Sequence, residues 1–270
     1  FRKRFETEEA FGYMWECPNY LSVDGRQFLI VCPQKMKQEK NRYIKENLCG
    51  YFPLQYDFLG EDYQIGAFAT LDRGFDFYAP QVFKDEAGRW ILLGWMSTPD
   101  ASYDCEVTME HGWVHAMTVP RELYVNQKGR LCQRPLEELQ RMRTEGLTEN
   151  FQTGSDFHKT VSACFEWKLT MDKPAEAFEL LIRESAVLSY KDNVLCLDLT
   201  RCGAGRKTTE VLLPEVYELQ ILSDTSSLEI FVNGGEETFT TRIYDSMKGL
   251  QVAVKKMQGS GKLELYHLTV

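Results

Sequence analysis

Short apolar runs broken by turn residues set the pattern along this chain. Runs rich in Val, Ile, Leu, Phe, Tyr and Trp recur, and Asp-Gly, Asn-Gly and Gly-Arg pairs separate them. Alternation with a period of two indicates β-strands, because successive side chains point to opposite faces of a strand. It is clearest over residues 160–170, where every second residue from Val161 to Leu169 is apolar. The pattern predicts an all-β protein.

A unit of strand, Gly-Arg hairpin and strand recurs in the first half of the chain. Three prolines are each followed by a Gly-Arg pair: Pro18 by Gly25, Pro80 by Gly88 and Pro120 by Gly129. Recurring units of this size are typical of propeller blades, which are four-stranded sheets packed around an axis. A plain β-meander produces the same pattern, so both interpretations stay open on this observation alone.

The alignment of the first two units makes a prediction about position. Superposing Pro18 on Pro80 places Trp15 and Glu16 on Phe77 and Tyr78, one residue after Asp76. If the units are blades, these two segments occupy the same place in successive blades, and we expect them to converge at one end of the axis.

The second half of the chain has a different β pattern. Residues 135–143 (PLEELQRMR) predict a helix, with proline in the first turn, two glutamates next and arginine in the last turn. Strands are predicted at 178–183, 194–199, 217–222, 227–232, 239–244, 250–254 and 262–270, with a hairpin turn at Asn233-Gly234. We therefore predict a partial propeller over 1–134, a helical linker over 135–154 and a β-sandwich over 155–270.

Charge and cysteine content narrow the classes of partner. Lys and Arg number 31 against 40 Asp and Glu, a net charge of −9. This disfavours binding to nucleic acid or to an anionic membrane. The longest apolar run, 90–96, is too short to cross a bilayer. The eight cysteines form no C-x-x-C pair, which favours reduced thiols and a cytoplasmic location. The chain begins with Phe1 and shows no apolar leader, so we expect it to be part of a longer protein.

Glu16 is the first candidate for chemistry. It lies between Trp15 and Pro18 in an apolar stretch, and an unpaired glutamate is rarely buried. Burial disfavours the charged form of a carboxyl group, which suits a general acid. The alternative is a glutamate at a strand edge that faces solvent or pairs with an arginine.

The second candidate is the segment 71–81, which places Asp72 and Asp76 among aromatic residues, ahead of Tyr78. These carboxylates are suited to binding sugar hydroxyls, while the rings cover the apolar faces of a sugar. The alternative is a loop whose aspartates cap turns. Trp95 is a candidate sugar platform and equally a candidate core residue.

Other features carry weaker signals. His111 and His115 lack the H-E-x-x-H order of a helical zinc site. The basic stretch Lys35, Lys37, Lys40, Arg42 and Lys45 is interrupted by glutamates and reads as a solvated loop, with phosphate contact as the lesser alternative. The sequence holds no Gly-rich phosphate loop and no dinucleotide fingerprint, so no cofactor is expected.

The motifs around these residues resemble glycoside hydrolase family 32, which includes invertases, sucrose-6-phosphate hydrolases and fructanases. Residues 15–18 (WECP) are similar to the W-E-C-P-D motif of the family. Residues 75–81, 88–96 and 113–123 resemble its later propeller blades, and 226–233 its C-terminal sandwich. The resemblance runs in order from about residue 11 to 270 and is nearest to bacterial sucrose-6-phosphate hydrolases.

The resemblance implies a five-bladed propeller, of which this chain would hold about the last three blades, followed by a β-sandwich. It implies hydrolysis of β-fructofuranosidic bonds with retention, which uses two carboxylates roughly 5–5.5 Å apart. Glu16 matches the acid/base of the family. Asp72 matches a position that contacts substrate, and Trp15, Asp76, Tyr78 and Trp95 are expected in the same pocket. The substrate is expected to be sucrose, sucrose-6-phosphate or a fructan.

The sequence departs from the family at the nucleophile. The family places it in an N-terminal W-M-N-D-P-N-G motif, which these 270 residues do not contain, and the R-D-P motif is also absent. Asn19 replaces the usual aspartate after W-E-C-P. We therefore expect negligible fructosidase activity from these residues alone. The alternative is a non-catalytic fructoside-binding module. A partial propeller exposes apolar faces, so a homodimer through the open side is also expected.

Overall fold

The computed structural model describes residues 4–40, 45–57, 62–99, 101 and 106–269. Within these ranges the protein is all-β, with 22 strands and two short 3₁₀ helices, Met109–His111 and Glu137–Met142. Every hydrogen-bonded pair of strands is antiparallel, and the strands form four sheets.

The first half of the chain forms two five-stranded sheets. The first contains β1 (Trp15–Val23), β2 (Arg26–Pro33), β3 (Gly50–Tyr56), β4 (Tyr63–Ile65) and β5 (Ala69–Thr70). The second contains β6 (Tyr78–Lys84), β7 (Trp90–Met96), β8 (Ala116–Met117), β9 (Arg121–Val125) and β10 (Leu131–Pro135). Their main paths run β1-β2-β3-β4 and β6-β7-β9-β10, the up-and-down order of propeller blades. Both sheets contribute to one core, with Ile30 of β2 and Leu92 of β7 fully buried in it.

The number of blade-like sheets differs from the sequence prediction of about three. The described residues before 136 form two, because the Gly129-Arg130 hairpin joins β9 to β10 within the second sheet. The hairpins at Gly25 and Gly88 each join the first two strands of a sheet, β1 to β2 and β6 to β7. A Gly-Arg turn marks any hairpin of an antiparallel sheet, so the spacing of such turns does not count blades.

The second half of the chain forms two six-stranded sheets. Its strands are β11 (Arg143–Phe151), β12 (Phe157–Thr160), β13 (Phe165–Met171), β14 (Ala177–Ile182), β15 (Ala186–Lys191), β16 (Val194–Asp198), β17 (Thr208–Leu212), β18 (Glu218–Asp224), β19 (Ser227–Val232), β20 (Glu237–Arg242), β21 (Gln251–Gln258) and β22 (Gly261–Leu268). The sheet orders are β11-β22-β13-β18-β19-β20 and β12-β21-β14-β15-β16-β17. Both sheets contribute to one large core around Trp167, Leu180 and Ile230.

The predicted helical linker is corrected in extent and type. Pro135 ends β10, and only Glu137–Met142 turns as a 3₁₀ helix. Arg143–Phe151 is strand β11, which pairs with β22 at the edge of its sheet. A six-residue segment with few apolar positions gains little from helix packing, whereas β11 completes the hydrogen bonding of β22. The alternation at 160–170 also belongs to two elements, since β12 ends at Thr160 and β13 begins at Phe165.

The loop before β6 joins the two halves of the molecule. The backbone N–H groups of Arg73 and Asp76 donate to the carbonyls of Thr238 and Thr240 on β20 at 2.7 and 3.1 Å. β20 is an edge strand of its sheet, so the loop supplies hydrogen-bond partners for backbone carbonyl groups along that edge. A Cβ atom at Gly74 would lie 1.9 Å from the Thr240 carbonyl oxygen, so only glycine allows this approach.

No helix in the described ranges is long and apolar enough to serve as a membrane span.

Candidate active site

Matching bulges begin the first strand of each blade-like sheet. Cys17 and Ala79 precede proline in the aligned segments, and both adopt a left-handed backbone, with φ of 48° and 47°. In each sheet the register with the partner strand shifts at this point. Asn19 connects the two bulges, since its Nδ2 donates to the Cys17 and Pro80 carbonyls at 2.9 and 3.0 Å. The structure therefore agrees with the alignment of the two segments and places them side by side.

Glu16 and Tyr78 meet where the two bulges lie together. The Tyr78 hydroxyl donates to Glu16 Oε2 at 3.0 Å. Gln34 Nε2, just past the end of β2, donates to the same oxygen at 2.7 Å. The Glu16 carboxylate is half-buried, and in the described part of the chain neither donor reaches its Oε1. One oxygen of the Glu16 carboxylate is thus held by two hydrogen-bond donors.

Tyr78 is buried and is positioned to hydrogen-bond to Glu16. Its side chain is 2% exposed. Burial, followed by the nearby Cys32 and the hydrogen bond to Glu16, raises the pKa of Tyr78 above its usual range. The hydroxyl consequently stays protonated and remains a hydrogen-bond donor at neutral pH.

Trp95 lies directly opposite Tyr78 in the pairing of β6 with β7, so the two side chains share a face of the second sheet. Trp95 is half-buried, and its ring makes an edge contact with His115 at 5.1 Å between centroids. It is therefore placed beside the Glu16–Tyr78 pair with part of its surface open.

Trp15 points away from Glu16, as neighbouring residues of a strand do. Its ring stacks on Phe52 at 5.0 Å, and its Nε1 donates to the Phe11 carbonyl at 2.7 Å. These contacts place Trp15 in the cluster on the other face of the first sheet. Trp15 therefore lies on the opposite face from Glu16, and its expected contact with sugar stays a prediction.

Asp72 has a different position from the one expected of a sugar ligand. Its side chain is fully buried, and Oδ2 accepts from Arg121 Nη1 at 3.2 Å and from the Thr240 hydroxyl at 2.6 Å. Oδ1 accepts from the backbone N–H groups of Gly74 and Thr240, both at 2.8 Å. These donors use the carboxylate to join the two halves of the molecule, and its expected contact with substrate stays a prediction.

Asp76 is held in a similar way, and its expected place in the substrate pocket also stays a prediction. Its carboxylate is fully buried and forms an ion pair with Arg206 at 2.7 Å. Oδ2 also accepts from the Thr241 hydroxyl at 3.1 Å and the Arg242 backbone N–H at 2.7 Å. The sequence showed two carboxylates among aromatic residues but gave no sign of the arginines that bury them, which lie 45 or more positions further along the chain.

Two site residues were not predicted from the sequence. Gln34 follows an ordinary apolar strand, and only its contact with Glu16 identifies it. Lys45 belongs to the stretch predicted to be a solvated loop, and that prediction is wrong here. Its Nζ donates to the Phe75 and Phe77 carbonyls at 3.2 Å, and burial lowers the pKa of Lys45. Lys40 forms an exposed ion pair with Glu210, and Arg42 lies outside the described residues.

The arrangement offers acid–base chemistry through the Glu16 carboxyl group. The described residues contain no group of three or more His, Cys, Asp or Glu side chains suited to hold a metal ion. A cavity of about 750 Å³ lies between β8, the 3₁₀ helix Glu137–Met142 and the six-stranded sheet that contains β11 and β13. Its lining includes Trp113, Glu166 and Gln220. None of the predicted site residues lines it.

Comparison with protein families gives two matches that together cover the chain. The N-terminal domain of glycosyl hydrolases family 32 matches residues 1–135, and the C-terminal region of the same family matches residues 136–270.

Curated relatives agree with these matches. The sucrose-6-phosphate hydrolase of Staphylococcus xylosus is 34% identical, covering 96% of this chain and 56% of the relative. The enzyme of the same name from Bacillus subtilis is 34% identical, covering 89% of this chain and 51% of the relative. The chain therefore spans about half the length of the curated relatives it matches.

Solved structures show the same fold. The sucrose-6-phosphate hydrolase from Lactobacillus gasseri matches 97% of this chain and 56% of its own, with a TM-score of 0.83 and 24% identity. The Bombyx mori β-fructofuranosidase matches 95% of this chain and 55% of its own, with a TM-score of 0.77 and 24% identity.

Proposed function

This chain belongs to glycosyl hydrolases family 32, and from that membership we propose that it supplies the acid/base half of a retaining β-fructofuranosidase. The observation that carries the proposal is Glu16, half-buried, with Oε2 held by Gln34 and Tyr78. Glu16 would protonate the leaving glycosidic oxygen and then take a proton from the incoming water. The proposed substrates are sucrose and sucrose-6-phosphate, and the proposed location is the cytoplasm.

The fold forms part of the same proposal. We interpret the two blade-like sheets as members of a five-bladed propeller and the two six-stranded sheets as a β-sandwich. The single core shared by the two six-stranded sheets supports the second interpretation.

A retaining mechanism requires a second carboxylate about 5–5.5 Å from the acid/base. Asp72 and Asp76 are unsuited to that role, because each is buried and held by arginine. Acid–base assistance alone gives about 10²–10⁴-fold acceleration, which does not replace a covalent nucleophile. We therefore propose that these 270 residues do not turn over sucrose by themselves.

The test measures release of fructose from sucrose and from sucrose-6-phosphate. The chain is assayed alone and with a separately produced N-terminal half of the Staphylococcus xylosus relative. We expect no turnover by the chain alone and turnover in the mixture that Glu16→Gln abolishes. Fructoside binding by calorimetry without turnover in either arm would favour a binding module. Any turnover by the chain alone would contradict its proposed inactivity, and turnover that survives Glu16→Gln would also contradict the proposed role of Glu16.

We further propose that the chain self-associates through the outer face of the first sheet. Leu29, Phe52 and Leu54 on this face are covered by Phe5 and Phe11, which are themselves only half-buried. Light scattering across a range of concentrations tests this proposal. A molecular mass of one chain at all concentrations would contradict it.

A further inference from the structure

Three cysteines lie near Glu16 in the chain or at the first sheet, and the proposed catalytic role of Glu16 makes no use of them. Cys17 follows Glu16 in the chain, and Cys32 lies directly opposite Glu16 in the pairing of β1 with β2. Cys49 precedes β3, and its Sγ lies 2.8 Å from Cys32 Sγ. Cys32 and Cys49 are 0% and 2% exposed.

The backbone places Cys32 and Cys49 in the register that suits a cross-strand disulfide. Val31 pairs with Gly50, and the Leu48 N–H donates to the Pro33 carbonyl at 3.1 Å, so Cys32 faces Cys49 between two hydrogen-bonded pairs. The Cys49 carbonyl accepts from the Leu71 N–H on the other side of the strand. In such a non-hydrogen-bonded pair the Cα atoms are about 4.5 Å apart, within the range that a disulfide requires.

Cys32 and Cys49 lie at the two ends of a segment that contacts the Glu16 site. Residues 33–48 lie between the two cysteines. Gln34 from this segment donates to Glu16, and Lys45 from it donates to the Phe75 and Phe77 carbonyls ahead of Tyr78. A covalent bond between Cys32 and Cys49 would fix both ends of the segment.

We propose that Cys32 and Cys49 form an oxidative modification site, at which a small peroxide makes a reversible disulfide between β2 and β3. One thiolate attacks the peroxide, becomes a sulfenic acid and releases water after proton transfer. The second thiol attacks that sulfur, the S–S bond forms and the sulfenic oxygen leaves as a second water. Two thiols lose two electrons and two protons, and hydrogen peroxide is reduced to two waters.

The rate of the reaction depends on how readily the thiols ionise. Burial raises the pKa of Cys49 well above its usual value, and burial, Cys32 and Glu16 raise the pKa of Cys17. Because thiolates react and thiols do not, disulfide formation should be slow at pH 7 and faster at pH 9. The contact between the two sulfurs favours closure over further oxidation of either one.

The test is a peptide map of the folded chain treated with hydrogen peroxide at pH 8, alkylated and digested without reductant. We expect a cross-linked peptide joining Cys32 to Cys49 that dithiothreitol removes. A disulfide restricts the unfolded chain, so the oxidised protein should melt at a higher temperature than the reduced one. Because the loop that it closes is short, we expect the gain to be limited to roughly 5–10 °C. Cys49→Ser should lose both effects, whereas Cys202→Ser, which removes a buried thiol of the second half, should keep them.

The wild-type map decides the proposal even if Cys49→Ser fails to fold. A disulfide between Cys17 and Cys32 would overturn it, as would free Cys32 and Cys49 in a protein whose other thiols are oxidised. A Cys32–Cys49 cross-link that forms only in urea would also overturn it. None of these outcomes depends on fructosidase activity, so the proposal and the proposed function fail independently.

Discussion

At the scale of single residues, the two hydrogen bonds donated to Glu16 Oε2 explain how this carboxyl group is oriented. Hydrogen bonds from Gln34 and Tyr78 fix the plane of the carboxyl group and stabilise the charge that develops when it gives up a proton. A proton carried on Oε1 would then face the leaving oxygen. Tyr78 acts through Glu16 here and is a positioning residue.

Tyr78→Phe should lower the kcat for sucrose about tenfold in the mixture with the relative's N-terminal half, with little change in KM. A tenfold loss corresponds to about 1.4 kcal/mol, the usual contribution of one hydrogen bond to a charged group. Tyr124→Phe is the matched control, because that hydroxyl donates to the Gly234 carbonyl instead. An unchanged kcat in Tyr78→Phe would show that this hydrogen bond does not assist the reaction.

The structural role of Asp72 predicts an effect on stability. Asp72→Asn removes one of the two carboxylates that pair with the buried Arg121, and should lower the free energy of unfolding by about 3 kcal/mol. Asp85→Asn, which affects a partly exposed pair with Arg89, should change it much less. Urea unfolding of both variants checks this. If Asp72→Asn instead weakened sugar binding with unchanged stability, Asp72 would be a substrate ligand.

The sequence could predict the meeting of Glu16 with Tyr78 but not the roles of Gln34 and Arg121, and the difference has a physical reason. Glu16 and Tyr78 occupy matching positions of a repeat, and a repeat brings equivalent positions together in space. Gln34 and Arg121 have no local feature that distinguishes them, because their roles come from contacts with other strands. The buried setting of Asp72 was not predicted, because its sequence neighbours are aromatic while its partners, Arg121 and Thr240, lie far along the chain.

At the scale of elements, the loop before β6 functions as an added strand for β20. Its backbone hydrogen bonds to Thr238 and Thr240 explain why the loop is buried although it has the composition of a turn. Apolar alternation predicted most strands of the second half to within a few residues. It missed β11, β12, β15 and β17. Three of these, β11, β12 and β17, lie at the edges of their sheets, where exposed polar residues mask the pattern.

Gly74→Ala should therefore destabilise the protein by at least 2 kcal/mol more than Gly88→Ala. The new methyl at Gly74 would meet the backbone of Thr240 and force the loop away from β20. At Gly88 nothing lies within 4 Å of the added atom, so only its positive φ of 82° opposes alanine, at a cost of about 1 kcal/mol. Equal urea midpoints for the two variants would contradict the close packing of this loop.

At the scale of the whole molecule, a buried layer of charge joins the two halves. Asp72, Asp76 and Glu229 supply three carboxylates, and Arg121, Arg206 and Arg242 supply three guanidinium groups. Asp72 and Glu229 pair with Arg121, and Asp76 pairs with Arg206, so each of these buried carboxylates is balanced by an arginine. Removing one member would leave a buried charge uncompensated. This balance favours a fixed arrangement of the first half on the second, on which the position of β6 and Tyr78 depends.

Thiols buried throughout the molecule predict how its stability changes with pH. Burial raises the pKa of Cys132, in the first half, and of Cys202, in the second, from 9.0 to about 11. Between pH 9 and 11 the unfolded chain has lost these protons while the folded protein keeps them, so the free energy of unfolding falls as pH rises. Each thiol contributes on the order of 2 kcal/mol to this loss.

Cys202→Ala isolates one of these contributions. At pH 7 the variant should be about 1 kcal/mol less stable than wild type, because it loses a buried sulfur. Alanine does not ionise, so the variant escapes the alkaline loss at this position, and the difference should shrink or reverse by pH 11. Urea unfolding of both proteins under reducing conditions at pH 7, 9 and 11 measures this difference. A difference that stays constant with pH would mean that Cys202 ionises equally in both states and is open to water in the folded protein.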